Sequence, residues 1–184
     1  MKTIQKVLIS SLAVLLALAA FLTFYRFPKS IDLQYPAVEF RNGDASSAEQ
    51  TTIAIKGTLY RPLFRNAEFS GTIAVEKYDF TKRYELIDVR FYKEIRNGWG
   101  PLVYSYVDDG KPILKSFGSI WKSGDFERIG IEVNEPLPSA ATLTIAAPAR
   151  TYEEARSVVA QMETGGKRRL SKVLFFPYLQ PQAA

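Results

Sequence analysis

The chain has no histidine and no cysteine among its 184 residues. The absence of histidine removes the commonest general base and the commonest metal ligand together. Ser-His-Asp and Cys-His nucleophilic catalysis are excluded, and so are the usual zinc sites. The absence of cysteine means that no disulfide staples the fold, no thiol reacts and no lipoprotein-type lipid can be attached. In an exported protein such a composition leans toward a Gram-positive bacterium. Acidic residues are missing from the first 31 positions.

That acid-free segment holds the longest apolar run. Val7 to Tyr25 is 19 residues without charge, proline or glycine. At a rise of ~1.5 Å per residue this makes a helix of about 28 Å, near the ~30 Å hydrocarbon core of a bilayer. Lys2 and Lys6 form a positive leader that suits both an uncleaved anchor and a signal peptide. Ala17-Leu18-Ala19 supplies an A-x-A cleavage pattern, which favours the signal peptide. The run continues apolar through Phe24 and Tyr25, however, whereas a signal core is usually about 7–15 residues. Phe24 and Tyr25 followed by Arg26 and Lys29 read as an interfacial belt with snorkelling cations. The anchor is the preferred reading, with residues 1–6 as a cytoplasmic tail, 7–25 as one transmembrane helix and the following domain extracytoplasmic.

The formal charge of +5 is concentrated at this end. Lys2, Lys6, Arg26 and Lys29 belong to the apolar segment and its flank, which leaves 20 cations and 19 acids for the remainder. A nearly neutral domain carries no electrostatic footprint of nucleic-acid binding.

Beyond residue 25 the patterning is mostly of period two. Residues 26–50 read as a linker and extended lead-in, because Pro36 demotes the alternation of Ile31, Leu33 and Tyr35 to an edge strand or spacer. Ile53, Ile55 and Leu59 alternate on one face, as do Phe69, Ile73 and Val75, giving an antiparallel pair. Leu63 and Phe64 in the intervening loop are expected to fold back onto the sheet. Glu85 to Tyr92 reads as a strand with Ile87, Val89 and Phe91 inward. Leu102 to Val107 follows, closed by the hairpin signal Asp108-Asp109-Gly110. Ile113 to Lys122, Phe126 to Val133 and Ala141 to Ala147 are further strands. Thr151-Tyr152-Glu153-Glu154 then matches a capping box opening an amphipathic helix over about 151–163, with Gly165-Gly166 as its stop. Val173 to Phe176 is a final candidate strand. The pattern predicts a mainly β fold: a transmembrane helix, an antiparallel β-sandwich or barrel-like domain over 51–178 with one late α-helix, and a flexible tail at 179–184.

Several stretches together carry a resemblance. They are Ile55-Lys56-Gly57-Thr58-Leu59, Leu63-Phe64, Phe69-Ser70-Gly71-Thr72-Ile73, Phe117-Gly118-Ser119-Ile120, Asp125-Phe126, and Ala147-Pro148-Ala149 leading into Glu153-Glu154-Ala155. The combination resembles small membrane-anchored proteins of Gram-positive, spore-forming bacteria. The resemblance implies a bacterial extracytoplasmic domain and carries over no activity and no functional residue.

Two groups of residues are candidates for binding. Trp99, Tyr104, Tyr106 and Trp121 surround the middle hairpins, where exposed rings would stack on sugar or on a protein partner. The competing reading is core packing. Lys167, Arg168, Arg169 and Lys172 form the densest basic cluster and suit an anionic envelope polymer or lipid headgroups, against a plain solvated face. Asp108 and Asp109, with Asp125 and Glu127, lack the alternate spacing of a calcium loop and match ordinary turn composition. Serines next to lysines, as in Lys115-Ser116 and Lys122-Ser123, point to opposite faces of a strand and so do not form a dyad. The sequence therefore predicts a non-catalytic, membrane-tethered binding or scaffolding module of the cell envelope. Its expected partners are the membrane and an envelope protein or cell-wall polymer, with no cofactor, no metal and no nucleic acid. The alternatives are a carboxylate-dependent envelope enzyme acting on glycan and a secreted protein with a cleaved signal peptide.

Overall fold

The computed structural model describes residues 2–93, 98–135 and 141–173, with side chains except at 2–4, 6 and 164–173. Helix α1 (Lys2–Phe24) leads into β1 (Pro28–Arg41), β2 (Asp44–Tyr60) and β3 (Ala67–Val75). A one-turn helix α2 (Phe80–Arg83) precedes the short β4 (Glu85–Leu86) and β5 (Val89–Phe91). Then come β6 (Trp99–Asp108), β7 (Lys111–Ser123), β8 (Arg128–Val133), β9 (Leu143–Ala147) and helix α3 (Tyr152–Val173). All nine strands form one antiparallel sheet in the order β4-β6-β7-β8-β9-β1-β2-β3-β5, curled into a nearly closed barrel. The window Val7–Phe24 of α1 is apolar and long enough to cross a membrane, and none of it is buried against the barrel. A signal sequence and an anchor both satisfy that description.

β1 is an internal strand, not the edge or spacer that Pro36 suggests. It pairs with β2 from Pro28↔Tyr60 onward and with β9 over Val38 to Arg41. Pro36 is tolerated for a local reason. Its carbonyl accepts from the Ala149 N–H, so its missing N–H also faces the β9 side. The β9 ladder starts only at Val38, and no ladder bond is lost. The domain thus begins at β1, within the span that composition reads as a linker. Ile31, Leu33, Tyr35 and Ala37 point into the barrel beside Ile53, Ile55, Phe69, Ile73 and Ile120.

The chain from Glu85 to Phe91 closes the barrel by touching both of its edges. β4 pairs with β6, and β5 pairs with β3. The expected single strand is split at Ile87-Asp88, so Leu86, Val89 and Phe91 are buried while Ile87 is exposed. β5 reaches only Phe69 on β3, which leaves the odd-numbered backbone groups farther along β3 without a strand partner. Side chains substitute for the missing ladder. The Tyr104 hydroxyl donates to the Ile73 carbonyl at 2.6 Å, and the Thr81 hydroxyl accepts from the Val75 N–H at 2.9 Å. Backbone polar groups buried without partners would cost about 1–3 kcal/mol each, so these contacts hold the seam shut.

The barrel interior is filled by side chains. At the end where α1 leaves, the turn between β7 and β8 drives Phe126 inward, edge-on to Phe69 and Phe91 at ring separations of 5.2 and 5.8 Å. Phe126 adopts φ +70° to do so. That conformation costs a non-glycine residue roughly 1–2 kcal/mol, while full burial of a phenylalanine is worth about 1.5–3 kcal/mol, so burial wins. The opposite end is filled by Tyr78 and Phe80, which pack on Phe117 at 4.7 and 5.4 Å.

Outside the barrel, α3 lies across β9, β8 and β1 and covers a second apolar cluster. Tyr152, Ala155, Val158 and Met162 meet Val38, Phe40, Trp121 and Ala146. The helix starts at its expected cap: the Glu154 N–H donates to the Thr151 hydroxyl, although the Glu154 carboxylate takes the Arg150 N–H instead of that of Thr151. It does not stop at Gly165-Gly166 but continues to Val173. Glycine in a helix interior costs ~1 kcal/mol relative to alanine and does not by itself terminate one. Val173 is thus helical, and the remainder of the candidate strand to Phe176 lies outside the described residues.

Candidate functional site

The four candidate aromatics do not form one surface. Tyr104 is fully buried, and its seam hydrogen bond makes it a core residue. Burial raises its phenolic pKa. Trp121 is also buried, on the other face of the sheet beneath α3, and packs against Gly130. Tyr106 is half-buried and stacks on Tyr84 at 4.2 Å, while Trp99 is half-buried at the start of β6 beside Tyr92. The core reading wins for Tyr104 and Trp121 because the strand alternation places them on two opposite, covered faces. Lys167, Arg168, Arg169 and Lys172 fall on helical backbone in α3, and their side chains lie outside the described residues.

The acids separate as well. Asp108 and Asp109 sit at the β6–β7 hairpin, where Asp109 and Gly110 both take positive φ as a tight primed turn needs. Asp125 and Glu127 lie at the other end of the 13-residue β7, roughly 40 Å away at ~3.4 Å per residue. Asp125 accepts from Lys29 at 2.7 Å and Arg61 at 2.9 Å. Burial opposes its charge, but Lys29 and Arg61 outweigh that and lower its pKa. Among the described residues no cluster of three acids is placed to hold a metal.

The densest chemistry gathers at the α1 end of the barrel. Register explains why: the start of β1, the β2–β3 loop, the end of β5 and the β7–β8 turn all meet there. A cavity of about 520 Å³ opens beside the β2–β3 loop and the end of β5, lined by Arg26, Arg65, Arg90 and Lys93, with Glu68 and Tyr60 among its walls. Among the described residues Glu68 is the sole acid of that lining, and it holds Arg26 at 3.0 Å and Arg90 at 3.8 Å. The Arg26 guanidinium lies 4.6 Å over the Tyr60 ring, which fixes its plane. Arg65 donates to the carbonyl of Phe24, the last residue of α1, at 3.3 Å. Leu63 and Phe64 in the same loop are 52% and 73% exposed. They point into solvent rather than folding back onto the sheet, because Phe126 and Phe69 already fill this end of the core.

Just inside the same end, Lys122 extends under the turn and donates to the Gly124 carbonyl at 2.6 Å. Its ammonium lies 5.0 Å over the Phe91 ring and 5.2 Å over Phe126. Burial lowers its pKa to about 8. At the far end, the buried Glu39 accepts from Lys77 at 2.5 Å and the Tyr78 hydroxyl at 2.6 Å. Lys77 also pairs with Glu49. Burial works against the charge on Lys77, but the two carboxylates prevail and raise its pKa. Lys77 and Glu39 are thus paired within this far-end network.

None of Arg65, Arg90, Lys93 or Glu68 is marked by a sequence motif, because they come together only through strand register. The available signal is Arg61-Pro62-Leu63-Phe64-Arg65, an apolar pair bracketed by arginines in a loop. No protein-family model, curated protein or solved structure matches the chain.

Proposed function

We propose that the chain is a membrane-tethered, extracytoplasmic binding or scaffolding module of a bacterial cell envelope, without catalytic activity. The observation that carries this reading is the connection between α1 and the barrel. Only Tyr25, Arg26 and Phe27 separate Phe24 from Pro28, so an anchored α1 holds the barrel within about 10–15 Å of the bilayer. Arg65 on Phe24 and Arg26 on Glu68 tie that connection to the barrel end. A barrel held end-on to the membrane presents the β6–β7 hairpin outward, where Val107 and Leu114 are 73% and 65% exposed, as a contact face for an envelope protein or cell-wall polymer.

The non-catalytic reading is supported by the pKa directions. A glycan hydrolase of the usual kind needs one carboxyl raised to act as an acid. Among the described residues the carboxyls whose pKa is displaced, Asp44, Asp79, Asp125 and Glu135, are displaced downward by hydrogen bonds and nearby cations. The cysteine-free sequence offers a clean test. A Ser46→Cys variant of the full chain, expressed in intact bacteria, should react with a membrane-impermeant maleimide and stay in the membrane after alkaline washing, its mass retaining residues 1–25. A soluble product beginning at Ala20 would replace the tether with the secreted reading.

A further inference from the structure

We infer that the α1-end cavity is a binding site for the phosphate headgroup of an anionic phospholipid. The inference rests on the tethered reading above, since an anchored α1 places this cavity at headgroup depth. Its chemistry stands on separate observations. Among the described residues four cations line the cavity against one carboxylate. Three of the four are guanidinium groups, whose fork of donors matches phosphate oxygens better than an ammonium does. Glu68 does not neutralise the site. It orients Arg26 and Arg90 by ion pairs and leaves Arg65 and Lys93 without a carboxylate partner among the described residues.

The neighbourhood selects a lipid over a freely diffusing phosphate. Leu63 and Phe64 stand exposed on the cavity wall between Arg61 and Arg65, an apolar wedge with flanking cations of the kind that seats in a bilayer interface. The Arg65 side chain reaches the final carbonyl of the apolar helix, so the cavity opens where α1 meets the barrel. A phospholipid lying beside α1 can put its phosphate between Arg65, Arg90 and Lys93 while its acyl chains run along the helix and under Leu63 and Phe64.

Full-length protein purified in mild detergent, incubated with equal amounts of phosphatidylglycerol and phosphatidylcholine, is examined by native mass spectrometry. The wild type should retain phosphatidylglycerol in preference to phosphatidylcholine. The Arg65→Gln/Lys93→Gln variant should lose that preference by tenfold or so, an effect of about 1.4 kcal/mol. Lys56→Gln/Lys82→Gln, which removes the same charge elsewhere, should keep it. Equal retention of the two lipids by the wild type, or an unchanged preference in the cavity variant, overturns the inference. Inorganic phosphate that displaces the lipid at equal concentration assigns the site to free phosphate and likewise overturns it. The intact mass of the same sample reports whether α1 is present. Loss of the tether is thereby told apart from loss of lipid binding, because cleavage after Ala19 leaves every cavity residue in place.

Discussion

The phenolic oxygen of Tyr104 on β6 lies 2.6 Å from the carbonyl oxygen of Ile73 on β3, although these two strands do not pair with each other. The contact spans the seam of the barrel and stands in for a backbone hydrogen bond. Tyr104→Phe keeps the ring and leaves the Ile73 carbonyl without this donor in a dry core. The expected loss is about 1–3 kcal/mol, read as a lower midpoint of chemical unfolding with an unchanged slope. Thr81→Val, which leaves the Val75 N–H without its acceptor while the Val75 carbonyl keeps the Tyr78 N–H, should cost a similar amount. A wild-type midpoint in both variants would mean that the seam is held by apolar packing alone.

On the outer face, Gly130 is the floor beneath Trp121. A Cβ added at Gly130 would lie 2.4–2.9 Å from three atoms of the indole, with α3 closing over the other side. Gly130→Ala should therefore destabilise by overpacking, by about 1–3 kcal/mol. Combining it with Trp121→Leu should cost less than the sum of the two single changes, since the smaller side chain removes the clash. Strict additivity in thermal or chemical unfolding would separate the two residues.

Gly57 and Gly71 face each other across β2 and β3, and a Cβ on Gly57 would come within 2.2 Å of the Ser70 carbonyl oxygen. Backbone cannot yield as a flexible side chain can. Glycine here permits the tight coiling that turns the sheet into a barrel. Gly57→Val is expected to abolish cooperative unfolding or to yield insoluble protein, whereas Gly43→Ala, at a hairpin with open space around it but at φ +88°, should lose about 1–2 kcal/mol and remain folded. Near-ultraviolet circular dichroism distinguishes the outcomes.

Lys122 makes stability depend on pH in an unusual direction. Its folded pKa of about 8 lies below the ~10.4 of an unfolded lysine. Below pH 8 both states carry the proton and the burial penalty is felt in full. Between that point and the unfolded pKa, the unfolded state binds more protons, so this group makes stability rise with pH. The expected gain from pH 7 to 9.5 is about 1–2 kcal/mol. It should be missing in Lys122→Met, which should be the more stable form at pH 7. The upper limit avoids the tyrosines, because Tyr78 and Tyr104 have raised folded pKa values and remove stability once unfolded tyrosine ionises near pH ~10. Parallel pH profiles of the two proteins would refute the assignment.

Several features were legible because they depend on local chemistry. The apolar run became a helix, period-two stretches became strands, Asp109-Gly110 formed its hairpin turn and Thr151 capped α3. Local pattern gives the wrong placement where a neighbour in space decides the outcome. Pro36 was harmless because β9 starts two residues later, and Leu63 and Phe64 face outward because Phe126 occupies the space inside.

By itself, then, the sequence determined the apolar helix, the predominance of β-structure and the exclusion of histidine- and cysteine-based chemistry, because composition and periodicity act within one segment. Only the tertiary structure decided that the sheet closes through the Glu85–Phe91 segment, that Tyr104 is a seam residue, and that Arg26, Arg65, Arg90 and Lys93 surround one cavity. Those outcomes rest on strand register, which pairs residues as far apart as Val38 and Ala146 and leaves no mark on the spacing of any one of them.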